Sequence, residues 1–473
     1  MKVGLVAVPI VDGDDGFAGD LQPVGADAVR PCPPYAVYLL AGMLAAEGHE
    51  AVVVDLIAPG TGDLVPPSLD ERLDDVDLVG VSATSLAWAA ARRVLRHVRA
   101  RRPDVPIVVG GVHASRFDTW VLDHADADLV IRGDGEAPLL ALCAALVRDP
   151  DPSSEALRSV PSLTWRDREG ALVRNPDAPK VSAGDLTRWM PDYRQLPHRA
   201  YWGLALETAR GCTFDCSFCS TPHRKRWRGG EAVAVADRLE ALVPDLARTI
   251  TNAVYLVDDE FTLNAARATT IGEELSRRAL PLGILYDSRA PDLLRPGLLE
   301  ALAPHTRSLL VGAECGYDEG LRRIGKGTTC AVLTDAARAL ADAGIASVAD
   351  YSFILGLPWE RAEHVRATVE FAFDLAERFG VRLLFNWYTQ IPGSHLWDDA
   401  RATGAIHESR YDDLGVQRDP AVFRAAVQLD PDEIRAIAVE VRERMAALRG
   451  RAPRPEFNLP IALTNPVRPL AAR

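Results

Sequence analysis

Short apolar runs alternate with helical segments twice along this chain, and that doubled alternation limits what it can fold into. In the first series, residues 2–9, 51–56, 78–82, 107–109 and 129–131 are apolar, while residues 35–47, 87–101 and 138–146 carry helical spacing. Short β-rich runs separated by helices belong to a parallel sheet covered on both faces. A second series begins at Tyr201, with strands expected at 203–208, 253–257, 283–286, 308–313, 348–354 and 382–387. Helical segments at 232–247, 267–278, 332–343 and 364–379 lie between them. Six β–α units predict a partial or complete α/β barrel, with its active face at the carboxyl ends of the strands.

The expected class is therefore α/β. An N-terminal doubly wound, Rossmann-like parallel sheet is followed by a partial (β/α)6 barrel and a small C-terminal helical cap. The expected domains are 1–150, a structured linker at 151–200, the barrel at 201–400 and the cap at 401–473. Inside the linker, residues 162–166 and 171–175 flank a turn and read as a hairpin. The cap reads as one amphipathic helix over 431–448 and a proline-rich tail.

At 473 residues the chain is too long for one ordinary core. It has no apolar run of about 20 residues, so no membrane span is expected. The apolar N-terminus is followed by Asp12, Asp14 and Asp15 without a small-residue cleavage site. That pattern fits a first strand and not a secretion signal, and the cytoplasm is the expected location. The net charge of −13 argues against a nucleic-acid partner. Seven cysteines without a secretion signal do not suggest a disulfide framework, so clustered cysteines point to metal or redox chemistry.

Such a cluster follows the first barrel strand: Cys212, Cys216 and Cys219, within residues 210–219. Three thiolates at this spacing can wrap one face of an iron–sulfur cube and leave one iron open for chemistry. A zinc knuckle with His223 as fourth ligand, or three unrelated core cysteines, are the other readings. Cys315 and Cys330 stand singly and read as small buried residues.

In a doubly wound sheet, ligands sit beyond the carboxyl ends of the strands. Here those ends carry Ser82, Thr84 and Ser85, then Gly110, Gly111 and His113, then Gly133, Asp134, Gly135 and Glu136. Small residues let a ligand approach the backbone, and hydroxyls and amides supply hydrogen bonds. On these residues alone, a nucleotide-binding sheet or one that binds nothing remains open. The basic run 223–228 reads as a solvated or bridging segment, or as a hold for an acidic substrate or a phosphate.

The Cys-x-x-x-Cys-x-aromatic-Cys pattern, with Phe218 as the aromatic, resembles the radical S-adenosylmethionine superfamily. The resemblance implies a [4Fe–4S] cluster on the three cysteines, with its open iron holding S-adenosylmethionine. It places methionine contacts at Asp258 and Asp259, further contacts at Ser288 and Arg289, a carboxylate for the nucleoside or amino acid at Glu314, and an adenine wall at Ile354 and Gly356. Asp258 and Asp259 read equally as loop or helix-capping residues. The triplet at residues 229–231 also occurs in this superfamily, but here it reads as a helix start. Cys315 and Trp359 depart from the family pattern.

The N-terminal sheet joined to this barrel resembles the cobalamin-binding subgroup over roughly residues 1–400. That resemblance implies cobalamin at Ser82, Thr84, Ser85, Gly110, Gly111, His113, Gly133, Gly135 and Glu136. Asp134 stands where glutamate is commoner. The chain has no Asp-x-His-x-x-Gly motif. The resemblance then implies that no histidine ligates cobalt and that Leu86 and Trp88 approach its lower face.

The implied function is methyl transfer to a carbon of a small molecule or peptide, in natural-product biosynthesis, through methylcobalamin and a 5′-deoxyadenosyl radical. The alternative is cyclisation, ring rearrangement or oxidation without net methyl transfer. The implied partners are that substrate and an electron donor such as flavodoxin or ferredoxin.

Overall fold

The computed structural model describes residues 1–9, 32–58, 66–407 and 426–449. The acidic residues after the first strand and the proline-rich tail lie outside the described residues.

The first sheet contains β1 (Lys2–Ala7), β2 (Glu50–Asp55), β3 (Leu78–Ser82), β4 (Ile107–Gly110), β5 (Leu129–Ile131), β6 (Leu163–Arg166) and β7 (Leu172–Arg174), in the order β2-β1-β3-β4-β5-β6-β7. The first five are parallel. Their order reverses between β1 and β3, which is the switch point where doubly wound sheets open a ligand crevice. Alternate residues of β1 feed different cores. Val3 and Leu5 pack with Tyr38, Leu139 and Leu142 on one face, and Val6 packs with Val54, Trp88 and Leu95 on the other. Fully burying one such side chain stabilises the fold by roughly 1.5–3 kcal/mol.

The expected hairpin forms, but it is not a free-standing linker. β6 pairs antiparallel with β5 and with β7, so the hairpin extends the first sheet. The reason is burial: Leu163 and Trp165 have no exposed surface there. The first sheet is thus mixed, parallel through five strands and antiparallel at its far edge.

The second unit opens with β8 (Leu204–Leu206), then β9 (Ala209–Arg210) and β10 (Arg228–Gly229), which pair antiparallel with each other across the cysteine loop. It continues through β11 (Ala253–Leu256), β12 (Gly283–Ser288), β13 (Thr306–Glu314), β14 (Ala349–Leu355) and β15 (Arg382–Trp387). The six long strands are all parallel, in the order β15-β14-β13-β12-β11-β8. β8 and β15 are edges, so among the described residues the barrel is partial. Burial alternates strictly on β14: Ala349, Tyr351, Phe353 and Leu355 are buried, and Asp350, Ser352 and Ile354 are half-buried. One face packs under helices while the other lines an open lumen.

Local chemistry explains where boundaries move. The helix expected over 232–247 stops at Ala241, because Pro244 lacks the amide that a continuing helix needs, and a 3₁₀ turn Val243–Arg248 follows. Of residues 229–231, read as a helix start, Gly229 belongs to β10 and only Glu231 directly precedes helix Ala232–Ala241. Helices Pro67–Leu73, Val112–Arg116 and Asp118–His124 escape sequence reading because each is too short to show a period. The cap helix spans Pro431–Arg449. No described helix is long and apolar enough to cross a membrane.

Candidate cofactor sites

The cysteine loop is tied down by its own backbone. Cys212 N donates to His223 O at 3.3 Å, Arg226 N to Cys212 O at 3.2 Å, Ser217 N to Ile324 O at 2.9 Å and Cys219 N to Cys216 O at 3.0 Å. Gly211 makes the closure possible: its φ is +94°, and a Cβ there would lie 1.9 Å from the Arg226 carbonyl oxygen. Asp259 clasps the loop at both ends, accepting from Gly211 N at 2.7 Å and Thr221 Oγ1 at 2.7 Å.

The three thiols are free, with Cys216 buried and the other two half-buried. Burial pushes all three pKa values up, and each feels a neighbour of the trio. Three crowded thiols reluctant to ionise gain most from a cationic centre, and the resulting thiolates are the ligands iron–sulfur clusters take. Among the described residues no three His, Cys, Asp or Glu side chains are gathered as around a single metal ion. The fit therefore rests on thiol chemistry and loop position.

Cations and carboxylates from the strand ends surround the loop. The Arg289 guanidinium carbon lies 3.2 Å from the Phe214 ring centroid, its Nη2 donates to Lys326 O, and its Nε is buried without a hydrogen-bond partner among the described residues. Lys326 is buried and donates to Glu314 Oε1 at 2.7 Å, with its Nζ 6.0 Å from the Phe218 ring. Glu314 has a φ of +65°, at the point where the β13–β14 register slips. A non-glycine residue held there is strained, as functional sites often are. Ser288 Oγ bonds Thr262 Oγ1 at 2.6 Å, and that hydroxyl donates to Glu260 Oε1 at 2.7 Å. Burial pushes the Glu260 carboxyl up to about 8.

Asp258 departs from the expected role. Its oxygens accept from Thr208 N and Thr208 Oγ1, both at 2.6 Å, so it fastens the end of β11 to the segment after β8. Asp259 braces the cysteine loop. Of the acidic triplet, Glu260 lies near enough to act on Cys212 electrostatically. Sequence reading saw Glu260 in the same motif as Asp258 and Asp259 without assigning it a contact, and missed Lys326. The signal for Lys326 was its place between Gly325 and Gly327, whose φ values of +69° and +66° mark a tight turn.

At the end of β14, Ile354 is half-buried and Gly356 has a φ of +79°. A Cβ on Gly356 would lie 2.8 Å from Val427 Cγ1 and 3.0 Å from the Trp387 ring. Gly356 N and Leu357 N donate to Glu360 Oε2 at 2.8 and 2.9 Å, leaving an apolar shelf with a fixed edge.

A cavity of about 330 Å³ lies at the carboxyl edge of the first sheet, against the cysteine loop. Ser82, Gly110, Gly111, Gly133, Gly135 and Glu136 line it from one unit, and Glu207, Arg210, Pro222 and His223 from the other. Among the described residues, a Cβ on Gly110 or Gly135 would meet nothing within 4 Å, so these glycines leave room. Gly111 serves the fold instead: its φ is +94° and a Cβ would sit 2.5 Å from Ala83 O.

The seam of the cavity is an ion-pair network. Arg210 pairs with Glu136 at 2.7 Å, Glu207 at 2.6 Å and Asp134 at 3.0 Å, and His223 lies 3.2 Å from Asp134. Burial alone would raise the Asp134 carboxyl, but Arg210, the Val181 amide, His223 and Arg228 together hold it below its usual value. An aliphatic, glycine-floored cleft with one polar rim suits a broad macrocycle such as cobalamin.

Several expected contacts fall elsewhere. His113 is 1% exposed, stacks on Trp88 at 4.3 Å and lies 3.1 Å from Ser85 Oγ through Nδ1. Burial drops its pKa to about 3, so it is a neutral core residue and neither it nor Ser85 lines the cavity. Trp88 is fully buried in that stack, and Leu86 packs with Phe117 and Trp397, so neither reaches the cavity floor. Thr84 is exposed, and its carbonyl accepts from Ala87 N. The cavity's lining histidine is His223, which the sequence offered as a fourth ligand in the zinc reading and as part of a basic run.

Comparison with known proteins matches a family described as the B12 binding domain over residues 21–143 and the Radical SAM superfamily over residues 206–372. An uncharacterised methyltransferase of Pyrococcus horikoshii is 28% identical over 386 residues, covering 79% of this chain and 80% of that one. The anaerobic magnesium-protoporphyrin IX monomethyl ester cyclase of Rubrivivax gelatinosus is 31% identical over 398 residues, covering 79% and 67%. Among solved structures, the radical S-adenosylmethionine methyltransferase TsrM from Kitasatospora setae superposes with a TM-score of 0.66 at 21% identity, covering 86% of this chain and 77% of that one. The last likeness is one of fold.

Proposed function

Because the chain belongs to the cobalamin-dependent radical S-adenosylmethionine family, with a B12-binding domain ahead of its radical domain, we propose that it is a methyltransferase acting on a carbon of a small molecule or peptide. One observation carries this reading. The cavity of the first sheet is walled on its far side by Glu207, Arg210, Pro222 and His223, on either side of the cysteine loop, which supports a reading with the cobalamin site beside the cluster site. When bound, the [4Fe–4S] cluster, S-adenosylmethionine and cobalamin supply an electron, a radical initiator and a methyl carrier.

The chain's own residues hold and orient. Cys212, Cys216 and Cys219 ligate the cluster, with Arg289 and Lys326 beside them as fixed positive charge. Glu260 and the Glu314–Lys326 pair offer hydrogen-bond acceptors and a donor to the amino acid and ribose of the cosubstrate. Ile354 and Gly356 give adenine its apolar wall. Gly110 and Gly135 leave the macrocycle room, and the Arg210 network ties the two walls of the cavity together. A reductant and a substrate are the partners this chemistry needs, and no step calls for a membrane or nucleic acid.

The 31% identity to a cyclase favours, as second reading, an oxidation or ring closure on the same machinery. Anaerobic turnover with methyl-labelled S-adenosylmethionine and candidate extracts separates the two. Label is expected first on cobalamin and then in product. Labelled product with no methyl ever borne by cobalamin would overturn the methyltransferase mechanism.

A further inference from the structure

We infer that helix His395–Ala402 is a strut that carries order between the cysteine loop and the wall of the cobalamin cavity, with Arg116 and Trp397 as its positioning residues. The inference rests on the reading that the three thiols hold a cluster, and it joins the two cofactor sites through contacts of this chain alone. The helix lies beyond both matched regions, which end at residues 143 and 372.

The cysteine loop grips the start of this helix at three points. His395 Nε2 lies 2.8 Å from Oδ1 of Asp215, which stands between the first and second cysteines. Leu396 N donates at 3.0 Å to the carbonyl of Ser217, between the second and third. Arg224 donates to Cys219 O at 3.1 Å through Nη1 and to Gly393 O at 2.9 Å through Nη2. One guanidinium thus spans the third cysteine and the turn that leads into the helix.

The other side of the helix holds the first unit. Leu396 packs against the large core that includes the barrel strands, but Trp397 is fully buried in a separate small cluster with Phe117, Ala400 and Ile406. The Trp397 and Phe117 rings meet edge-on with centroids 5.9 Å apart. The Arg116 guanidinium lies 5.0 Å from the Trp397 centroid and pairs with Asp398 at 2.5 Å. Arg116 and Phe117 close helix Val112–Arg116, whose Val112 and Ser115 line the cavity. Ser115 Oγ donates to Gly111 O at 2.8 Å and accepts from Gly133 N at 2.9 Å, so the same short helix holds two of the cavity's glycine turns. A helix that merely capped the barrel would bury its tryptophan in the barrel's core. Here that burial is directed at the wall of the cobalamin cavity.

Ordering a segment costs conformational entropy, and a ligand that has already fixed it spares the next ligand that cost. A cluster that fixes the cysteine loop fixes the start of the helix and, through Trp397 and Arg116, the cavity wall. Coupling of this kind is reciprocal and typically about 5- to 150-fold. Pro222 and His223 give the loop a second, direct edge on the cavity, so the strut is best read away from that edge, at residues 112–117.

The test uses the full chain free of cobalamin, before and after anaerobic reconstitution, with iron and sulfide counted. Amide hydrogen exchange is followed over residues 112–117. In the parent, loading the cluster should slow that exchange about fivefold or more. In Arg116→Glu, which sets two acids against each other, loading should leave it unchanged. Arg116 and Asp398 lie at the surface, so this variant strains the contact and spares the fold. Arg116→Glu/Asp398→Arg, which restores the pair with its charges exchanged, should recover the slowing. A parent that loads its cluster without slowing residues 112–117 would overturn the strut and leave the functional reading standing. Equal slowing in the parent and in Arg116→Glu would also overturn it, as would a loss that the exchanged pair fails to recover. A parent chain that takes up no iron would overturn this inference together with the functional reading beneath it.

Discussion

The two sheets meet at the carboxyl edges of their parallel strands, yet they prepare those edges in opposite ways. The first sheet clears space. Among the described residues, Gly110 and Gly135 have no neighbour within reach of an added Cβ, and charge is kept to the seam at Arg210, Asp134 and Glu136. The partial barrel instead crowds its edge with buried charge: Glu260, Glu314, Lys326 and Arg289 are all buried around the cysteine loop. The contrast shows one architecture serving two ligands, a bulky macrocycle that needs room and a compact charged cosubstrate that needs fixed partners.

The glycine side can be broken most completely. Gly110→Val puts a branched side chain into open cavity without backbone strain, since Gly110 does not have a positive φ. Cobalamin retention after reconstitution should fall to background, while iron content and thermal stability stay near the parent's. Gly111→Val should do the reverse. Its φ of +94° and the Ala83 carbonyl 2.5 Å away make it a folding defect, visible as lost stability before any binding is measured.

On the barrel side, Lys326→Met leaves Glu314 buried without its cation. Removing one partner of a buried pair typically costs about 3–5 kcal/mol, and chemical denaturation of the apo chain should read a loss of that order. Adding Glu314→Gln to the same chain should recover much of it. If the double variant is no better than the single, the pair is not the unit assigned here.

The smallest effect sharpens the line between core and site. His113 has a folded pKa near 3 against an ordinary 6.5, so between those values the unfolded chain binds the extra proton and stability falls as pH drops. At pH 5 the loss is about 2 kcal/mol, from about 1.5 pKa units. His113→Gln should flatten that part of the stability–pH curve and leave cobalamin binding unchanged. Lost cobalamin binding would return His113 to the cofactor site.

Much of this was legible in the sequence, and for physical reasons. The strand alternation and the cysteine spacing are local patterns, and both architectures follow from them. The glycines at strand ends were legible as room for a ligand, although sequence could not separate Gly110, which faces the cavity, from Gly111, which turns the chain. The hairpin of β6 and β7 was visible, but its attachment to β5 depends on burying Trp165 in a distant core. His113 sits next to cavity-lining Val112, and Ser85 and Trp88 follow cavity-lining Ser82 in the same strand-end segment, but side-chain direction after a strand end cannot be read from spacing alone. Asp258 and Glu260 differ by two places in one motif. Only the position of Thr208 across the sheet decides that the first is a clasp, while the second bonds Thr262.

Everything on the barrel side depends on Cys212, Cys216 and Cys219 holding an iron–sulfur core. Mössbauer spectroscopy with iron and sulfide counting on anaerobically reconstituted full-length chain tests that directly. The expected result is about four iron and four sulfide per chain in a [4Fe–4S] signature, lost when all three cysteines become alanine. A chain that takes up no iron, or a triple variant that keeps the same signature, would contradict it.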